Sequence, residues 1–243
     1  MALEVLLLHA ASSRNRTLSY QNGWTRKFIE FPDLNCSAVN LAGNSLEVRL
    51  QEQFLRLKRS RFDVVILLHS VFSNVNYLYR QVAERVRKLN CPKVVFLGNE
   101  YKLVPEKMEM CEQLNVSLVV TQLPDRRAQE LYKKRLNCRV FNSPGAGLDV
   151  DRFSPAMSAA ERTVDIGYRA YESPWYLGHN ERRRIAEFFQ ANGRKSGLTI
   201  DISLDPERRF GENDWAGFLN RCRGQIGSEA GGGFFEIDDA TRK

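Results

Sequence analysis

The feature that most constrains this chain is an alternation. Between residues 3 and 142, five short apolar runs (5–8, 64–68, 94–97, 118–121 and 140–142) are separated by stretches with helical spacing. Each run is rich in Val, Ile or Leu and lacks strict polar alternation, which is how strands buried on both faces read. Residues 45–58 place Leu46, Leu50, Phe54 and Leu57 on one helical face, and residues 76–89 do the same with Leu78, Val82, Val86 and Leu89. Residues 105–114 and 125–135 are shorter helical candidates, the second opened by Pro124-Asp125. Strand and helix in succession predict a parallel, doubly wound α/β sheet, in which ligands bind beyond the carboxyl ends of the strands. Three segments fall there: 9–16, 69–76 and 98–101.

Pro, Gly and Ser gather between residues 144 and 160, as in a linker between domains. The pattern then restarts, with strands at 164–168, 198–204 and 225–227, helices at 181–190 and 215–223, and a turn over Gly231 to Gly233 before a charged tail. The expected division is residues 1–150 and 151–243. About three strands follow the linker, fewer than the five or six of a complete Rossmann-like domain, so the second domain reads as incomplete.

Composition excludes several classes. No stretch approaches the roughly 18 apolar residues of a membrane helix. The run from Leu3 to Ala11 carries Glu4 and His9 and lacks the features of a signal peptide, so a buried strand and a cytoplasmic protein are expected. The five cysteines are scattered without CxxC spacing, which supports neither a zinc site nor a disulfide framework. Walker A, GxGxxG, GxSxG and HExxH patterns are all missing. Asp149-Val-Asp151 lies in the linker and is discounted as a metal site. Residues 1–150 carry 22 Lys and Arg against 14 Asp and Glu, whereas residues 151–243 carry 14 against 15. A basic first part attracts phosphates, anionic glycans or acidic membrane surfaces. Its cations are dispersed and form no known nucleic-acid motif, so no nucleic-acid partner is expected.

Candidate functional residues cluster after the strands. Glu100 follows the strand at 94–97 and can serve as a general base, or can cap the next turn. His9 and His69 stand at strand ends, where a histidine acts as base or phosphate contact, or as a hydrogen-bonded structural residue. Arg169 ends the strand at 164–168 and can clamp a diphosphate in bidentate fashion, or form a surface ion pair. Glu229 sits beside Gly231 and Gly232, whose backbone can approach a ligand closely while the carboxylate accepts from sugar hydroxyls. Trp175 and Tyr176 can stack on a base or pack a loop, and the run Arg182 to Arg184 reads as a solvated helix face.

Together these segments carry a family resemblance. The run PKVVFLGNEYKLVPEKMEMCEQLNVSLVVTQLP resembles the N-terminal domain of bacterial GT-B glycosyltransferases, in which a similar strand ends in an acidic residue followed by Tyr, here Glu100-Tyr101. PGAGLDVDRFSP is similar to the hinge of group 1 glycosyltransferases, and DIGYRAYESPWYLGHNERRRIAEFF resembles the opening of their donor-binding domain. GENDWAGFLNRCRGQIGSEAGGGFFEIDD resembles the segment that presents a Glu near small residues, although Ala230 to Gly233 replaces the usual Gly followed by Ser or Ala.

The resemblance implies two Rossmann-like domains, acceptor on the first and nucleotide sugar on the second. Relatives continue through the rest of the donor domain. Glu229, Arg169, Gly231 and Gly232 would hold the donor, and Glu100 or His69 would remove the acceptor proton. No metal and no cofactor beyond the nucleotide-sugar substrate are expected. The acceptor would be a glycan or a lipid-linked molecule, with peripheral contact to an anionic membrane. Two other classes fit the same residues: a module that binds sugar nucleotides or glycans without catalysis, and a GT-B-like nucleotide-sugar epimerase.

Overall fold

The computed structural model describes residues 2–11, 21–42, 62–144, 149–178, 180–228 and 235–243. The fold is α/β and Rossmann-like, and the chain divides into two compact units. Unit 1 holds β1 (Leu3–His9), α1 (Gln21–Glu30), β2 (Leu34–Asn40), β3 (Val64–Leu67), α2 (Arg80–Lys88), β4 (Lys93–Phe96), α3 (Val104–Leu114), β5 (Leu118–Thr121), α4 (Arg126–Leu136) and β6 (Arg139–Asn142). Unit 2 holds β7 (Val164–Arg169), α5 (Glu181–Asn192), β8 (Ile200–Ser203), α6 (Glu212–Arg221) and β9 (Cys222–Gln225). No helix among the described residues is long and apolar enough to cross a membrane.

All six strands of unit 1 pair in parallel, in the order β2-β1-β3-β4-β5-β6. The chain steps from β1 to β2 on one side, then returns past β1 to lay down the rest. Crossovers between parallel strands are right-handed, so this reversal puts helices on opposite faces. Trp24 and Phe28 of α1 pack with Val5, Leu7, Ile66 and Leu68. Val82 and Val86 of α2, Met108 and Leu114 of α3, and Tyr132 of α4 pack with Leu6, Leu8, Val65 and Leu67 on the other face. Successive residues of β1 and β3 thus feed two cores, which is why these strands read as unbroken apolar runs.

The five expected strands are present, shifted by at most a residue or two at their ends. Strand β2 was not foreseen. Its sequence LNCSAVN is mostly small and polar because it lies at the sheet edge, where only Val39 is buried. Helix α1 was not foreseen either. The expected helix at 45–58 lies outside the described residues. The expected helix at 76–89 begins only at Arg80, because Asn76 bridges back to Phe72 and its Oδ1 accepts from the Leu78 N–H. Asp125 caps α4 as expected, accepting from the Arg127 N–H at 2.8 Å.

Of the described residues, unit 2 takes 149–178 and 180–228. Phe235–Lys243 belongs to unit 1. The physical reason is apolar: Phe235 and Ile237 pack against the unit 1 core, and Asp239 is buried there.

Unit 2 repeats the reversal in small. Its three parallel strands lie in the order β8-β7-β9, with β7 central. The expected helix at 215–223 stops at Arg221 and the last strand starts three residues early, because Cys222 turns into the core at 1% exposure. Gly167 in β7 is required by close approach. A Cβ there would lie 2.4 Å from Cys222 Sγ and 2.7 Å from Phe218 Cζ. Gly167→Ala is therefore expected to destabilise the protein by about 1–3 kcal/mol through overpacking. Gly217→Ala on α6, where an added Cβ meets nothing within 4 Å, is expected to stabilise it by about 0.5–1 kcal/mol through helix propensity. Urea unfolding of the two variants beside the parent checks both signs.

Candidate functional site

The reversal in unit 2 opens a cavity of about 570 Å³ at the carboxyl ends of β7 and β9. Small-molecule sites commonly span about 300–1,000 Å³ and favour such switch points. Arg169 ends β7 and Tyr171 follows it. Arg182 comes from the first turn of α5, Arg209 and Phe210 from the approach to α6, Trp215 from α6, and Gly227 and Ser228 from the exit of β9. Three arginines line this space, and among the described residues no Asp or Glu does.

The three arginines differ in what they have left to offer. Arg169 Nη2 pairs with Asp201 Oδ1 at 2.5 Å, and its Nη1 donates to the carbonyls of Tyr168 and Asp201. Its guanidinium also rests on Phe218 at 4.8 Å and Phe210 at 5.1 Å. Both terminal nitrogens therefore have partners, and Nε has none among the described residues. Arg182 is the opposite case. It is 7% exposed, and its Nη1 has no hydrogen-bond partner among the described residues. Its guanidinium stands 4.4 Å from the centre of the Tyr171 ring, and that of Arg209 stands 5.1 Å from the same ring.

A cation over an aromatic face gains about 0.5–2 kcal/mol but does not satisfy its N–H donors. Two like charges against one ring, with no carboxylate among the described lining residues, attract an anion. Helix geometry adds to the demand. Arg182 sits at the start of α5, and Gly211, the residue before α6, lines the same cavity. Neither helix start has a side-chain cap, since Asn180 makes no capping bond and Gly211 has no side chain. Orphan N–H groups and the positive end of the helix dipole favour phosphate or carboxylate there. The remaining wall is aromatic. Phe210 and Trp215 are half-buried and both pack on the buried Phe218, giving an apolar surface of mutually tilted rings beside the cations.

Reading Arg182 to Arg184 as a solvated face holds for Arg183, which is exposed and paired with Glu172, but fails for Arg182. The signal was present: Arg182 shares the helical spacing of Ile185, Ala186 and Phe189, the face that packs on the sheet. Trp175, offered from sequence as a stacking residue, is 75% exposed and absent from the cavity wall, where Trp215 and Phe210 stand instead. Glu229, Gly231 and Gly232 lie outside the described residues. Ser228, just before them, places its hydroxyl 3.4 Å from that of Tyr168.

Unit 1 has its own switch point between β1 and β3. Ser70 Oγ accepts from the Ala10 N–H at 3.1 Å, joining the two strand exits. His69 is 7% exposed, and the Trp24 ring lies 5.1 Å from its own. Gly98 after β4 makes room for it, since a Cβ there would come within 3.1 Å of His69 Cβ. The Nδ1 atoms of His9 and His69 are buried without a described partner, and burial lowers each pKa to about 4. Both rings are therefore neutral near pH 7, because burial disfavours the protonated form.

Glu100 is differently placed. It is 6% exposed, its Oε1 accepts from Thr121 Oγ1 at 2.5 Å and from the Tyr132 hydroxyl at 2.8 Å, and its Oε2 accepts from the Gln122 N–H at 3.0 Å. Its carboxylate ties the exit of β5 to α4. Among the described residues, no group of three His, Cys, Asp or Glu side chains could hold a metal ion.

No family model, curated protein or solved structure gives a significant match to the chain.

The buried state of His69 has a measurable consequence. Its folded pKa of about 4 lies below the unfolded value of 6.5, so the unfolded chain binds the proton first as pH falls. Stability is intact above pH 6.5 and is lost between 6.5 and 4. Between pH 7 and 4.5 the parent is expected to lose about 2–3 kcal/mol more than His69→Gln. Denaturant titrations of both proteins at the two pH values read this difference.

Proposed function

We propose that this chain is a glycosyltransferase that draws its sugar from a nucleotide-sugar donor, with the donor diphosphate held in the unit 2 cavity. The observation that carries the reading is Arg182: a buried guanidinium whose Nη1 has no hydrogen-bond partner among the described residues, beside Arg209 on Tyr171. A diphosphate supplies the missing charge and acceptors. The Phe210–Trp215 wall fits the apolar faces of a nucleoside. The resemblance of residues 60–240 to group 1 enzymes supplies the reaction class.

In such a transfer the acceptor oxygen bonds to the anomeric carbon, the bond from that carbon to the diphosphate oxygen breaks, and the nucleoside diphosphate leaves. Negative charge grows on the leaving oxygen, so fixed cations and helix N-termini at the diphosphate lower the barrier. The resemblance gives the acceptor proton to a unit 1 side chain, Glu100 or His69. Glu229, with Gly231 and Gly232, would hold donor hydroxyls and phosphate. The basic surplus of residues 1–150 suits a phosphate-bearing lipid or an anionic glycan as acceptor.

Calorimetric titration with UDP-, GDP- and dTDP-sugars, beside CMP-linked sugars that carry one phosphate, tests the reading. At least one diphosphate-linked donor is expected to bind, and Arg182→Gln is expected to weaken it about 10- to 100-fold, as for a charge-assisted hydrogen bond. Binding untouched by Arg182→Gln, or no binding at all, contradicts the proposal. Donor binding without sugar transfer to any acceptor supports a binding module instead.

A further inference from the structure

We infer that Phe235–Lys243 is a strap that sets the loop between β4 and α3, with Asp239 as its positioning residue. The inference concerns unit 1 alone and stands independently of the proposed donor site. It begins with an anomaly at the start of α3. Leu103, the residue before the helix, has a left-handed backbone with φ 55° and no side chain that can cap. Leucine rarely adopts that conformation, and its cost must be met by something nearby.

Asp239 meets it from 136 residues away. Its Oδ2 accepts from the Leu103 N–H at 2.6 Å and its Oδ1 from the Val104 N–H at 3.2 Å. The carboxylate is 3% exposed and pairs with Arg242 at 2.8 Å. A carboxylate on the first N–H groups of a helix does the work of an N-cap and complements the helix dipole. The other end of the loop is held as well. Phe235 lies 5.4 Å from the fully buried ring of Tyr132, and the Tyr132 hydroxyl donates to Glu100.

Between these anchors the loop is held by further hydrogen bonds. Lys107 donates to the carbonyls of Gly98, Asn99 and Lys102 at 2.7, 2.8 and 2.9 Å. Asn99, itself at φ 49°, donates to Ser73 Oγ and Asn74 Oδ1 in the loop after β3. Gly98 abuts His69. A strap that fixes Leu103 and Glu100 therefore fixes the floor under His69, and losing it opens that floor to water.

Hydrogen exchange on the full chain, with NMR titration of His69, tests this. Asp239→Ala is expected to speed exchange of the amides of residues 99–107 at least about tenfold, as loss of a capping interaction of roughly 1–2 kcal/mol requires, while β1, β3 and α2 keep their protection. The His69 pKa is expected to rise from about 4 toward 6.5 as water reaches the ring. Arg242→Ala, which removes the ion pair and leaves the cap, is expected to give a smaller change in the same amides. Unchanged exchange at 99–107, equal acceleration throughout unit 1, or a His69 pKa that stays near 4 in Asp239→Ala would overturn the inference.

Discussion

Because every paired strand in both sheets runs parallel to its neighbour, each connection has to cross the sheet, and every segment that follows a strand emerges on the same edge. Where strand order reverses, at β1/β3 in unit 1 and around β7 in unit 2, the crossovers leave in opposite directions and the edge opens. The chain places its least ordinary polar groups at these two openings. His9, His69 and Ser70 stand at the first, and Arg169, Arg182 and Ser228 at the second.

Two buried cations differ in how their donors are met. Lys107, 1% exposed, meets three backbone carbonyls with its three donors. Burial lowers its pKa to about 8 against the opposing pull of Glu100, and nothing about it asks for a ligand. Arg182 is buried almost as deeply and has an aromatic face where Lys107 has oxygen atoms. An unpaired buried charge costs several kcal/mol. Among the described residues, Arg182 Nη1 has no hydrogen-bond partner.

Much of the architecture was legible in the sequence because parallel strands buried on both faces leave an unmistakable apolar run. The edge strand β2 was not, since half of its surface answers to solvent and its residues are small and polar. Arg182 could have been found from its spacing with Ile185, Ala186 and Phe189, but charge outweighed periodicity in the reading of ERRR. The binding geometry of Arg169 could not: nothing in the local sequence announces that Asp201, on a neighbouring strand, takes its terminal nitrogen. Asp239 was hidden for a related reason. It looks like part of a charged tail, and its partners at Leu103 and Val104 are more than a hundred residues away. Long-range pairing of a polar side chain with a helix start has no periodic signature.

The most direct measurement is a crystal structure of the chain soaked with a nucleoside diphosphate. Phosphate oxygens are expected within about 2.7–3.2 Å of Arg182 Nη1, with the base against Phe210 and Trp215. Diphosphate bound elsewhere, or an Arg182 side chain found paired with a carboxylate of the same chain, would contradict the assignment of this cavity as a donor site.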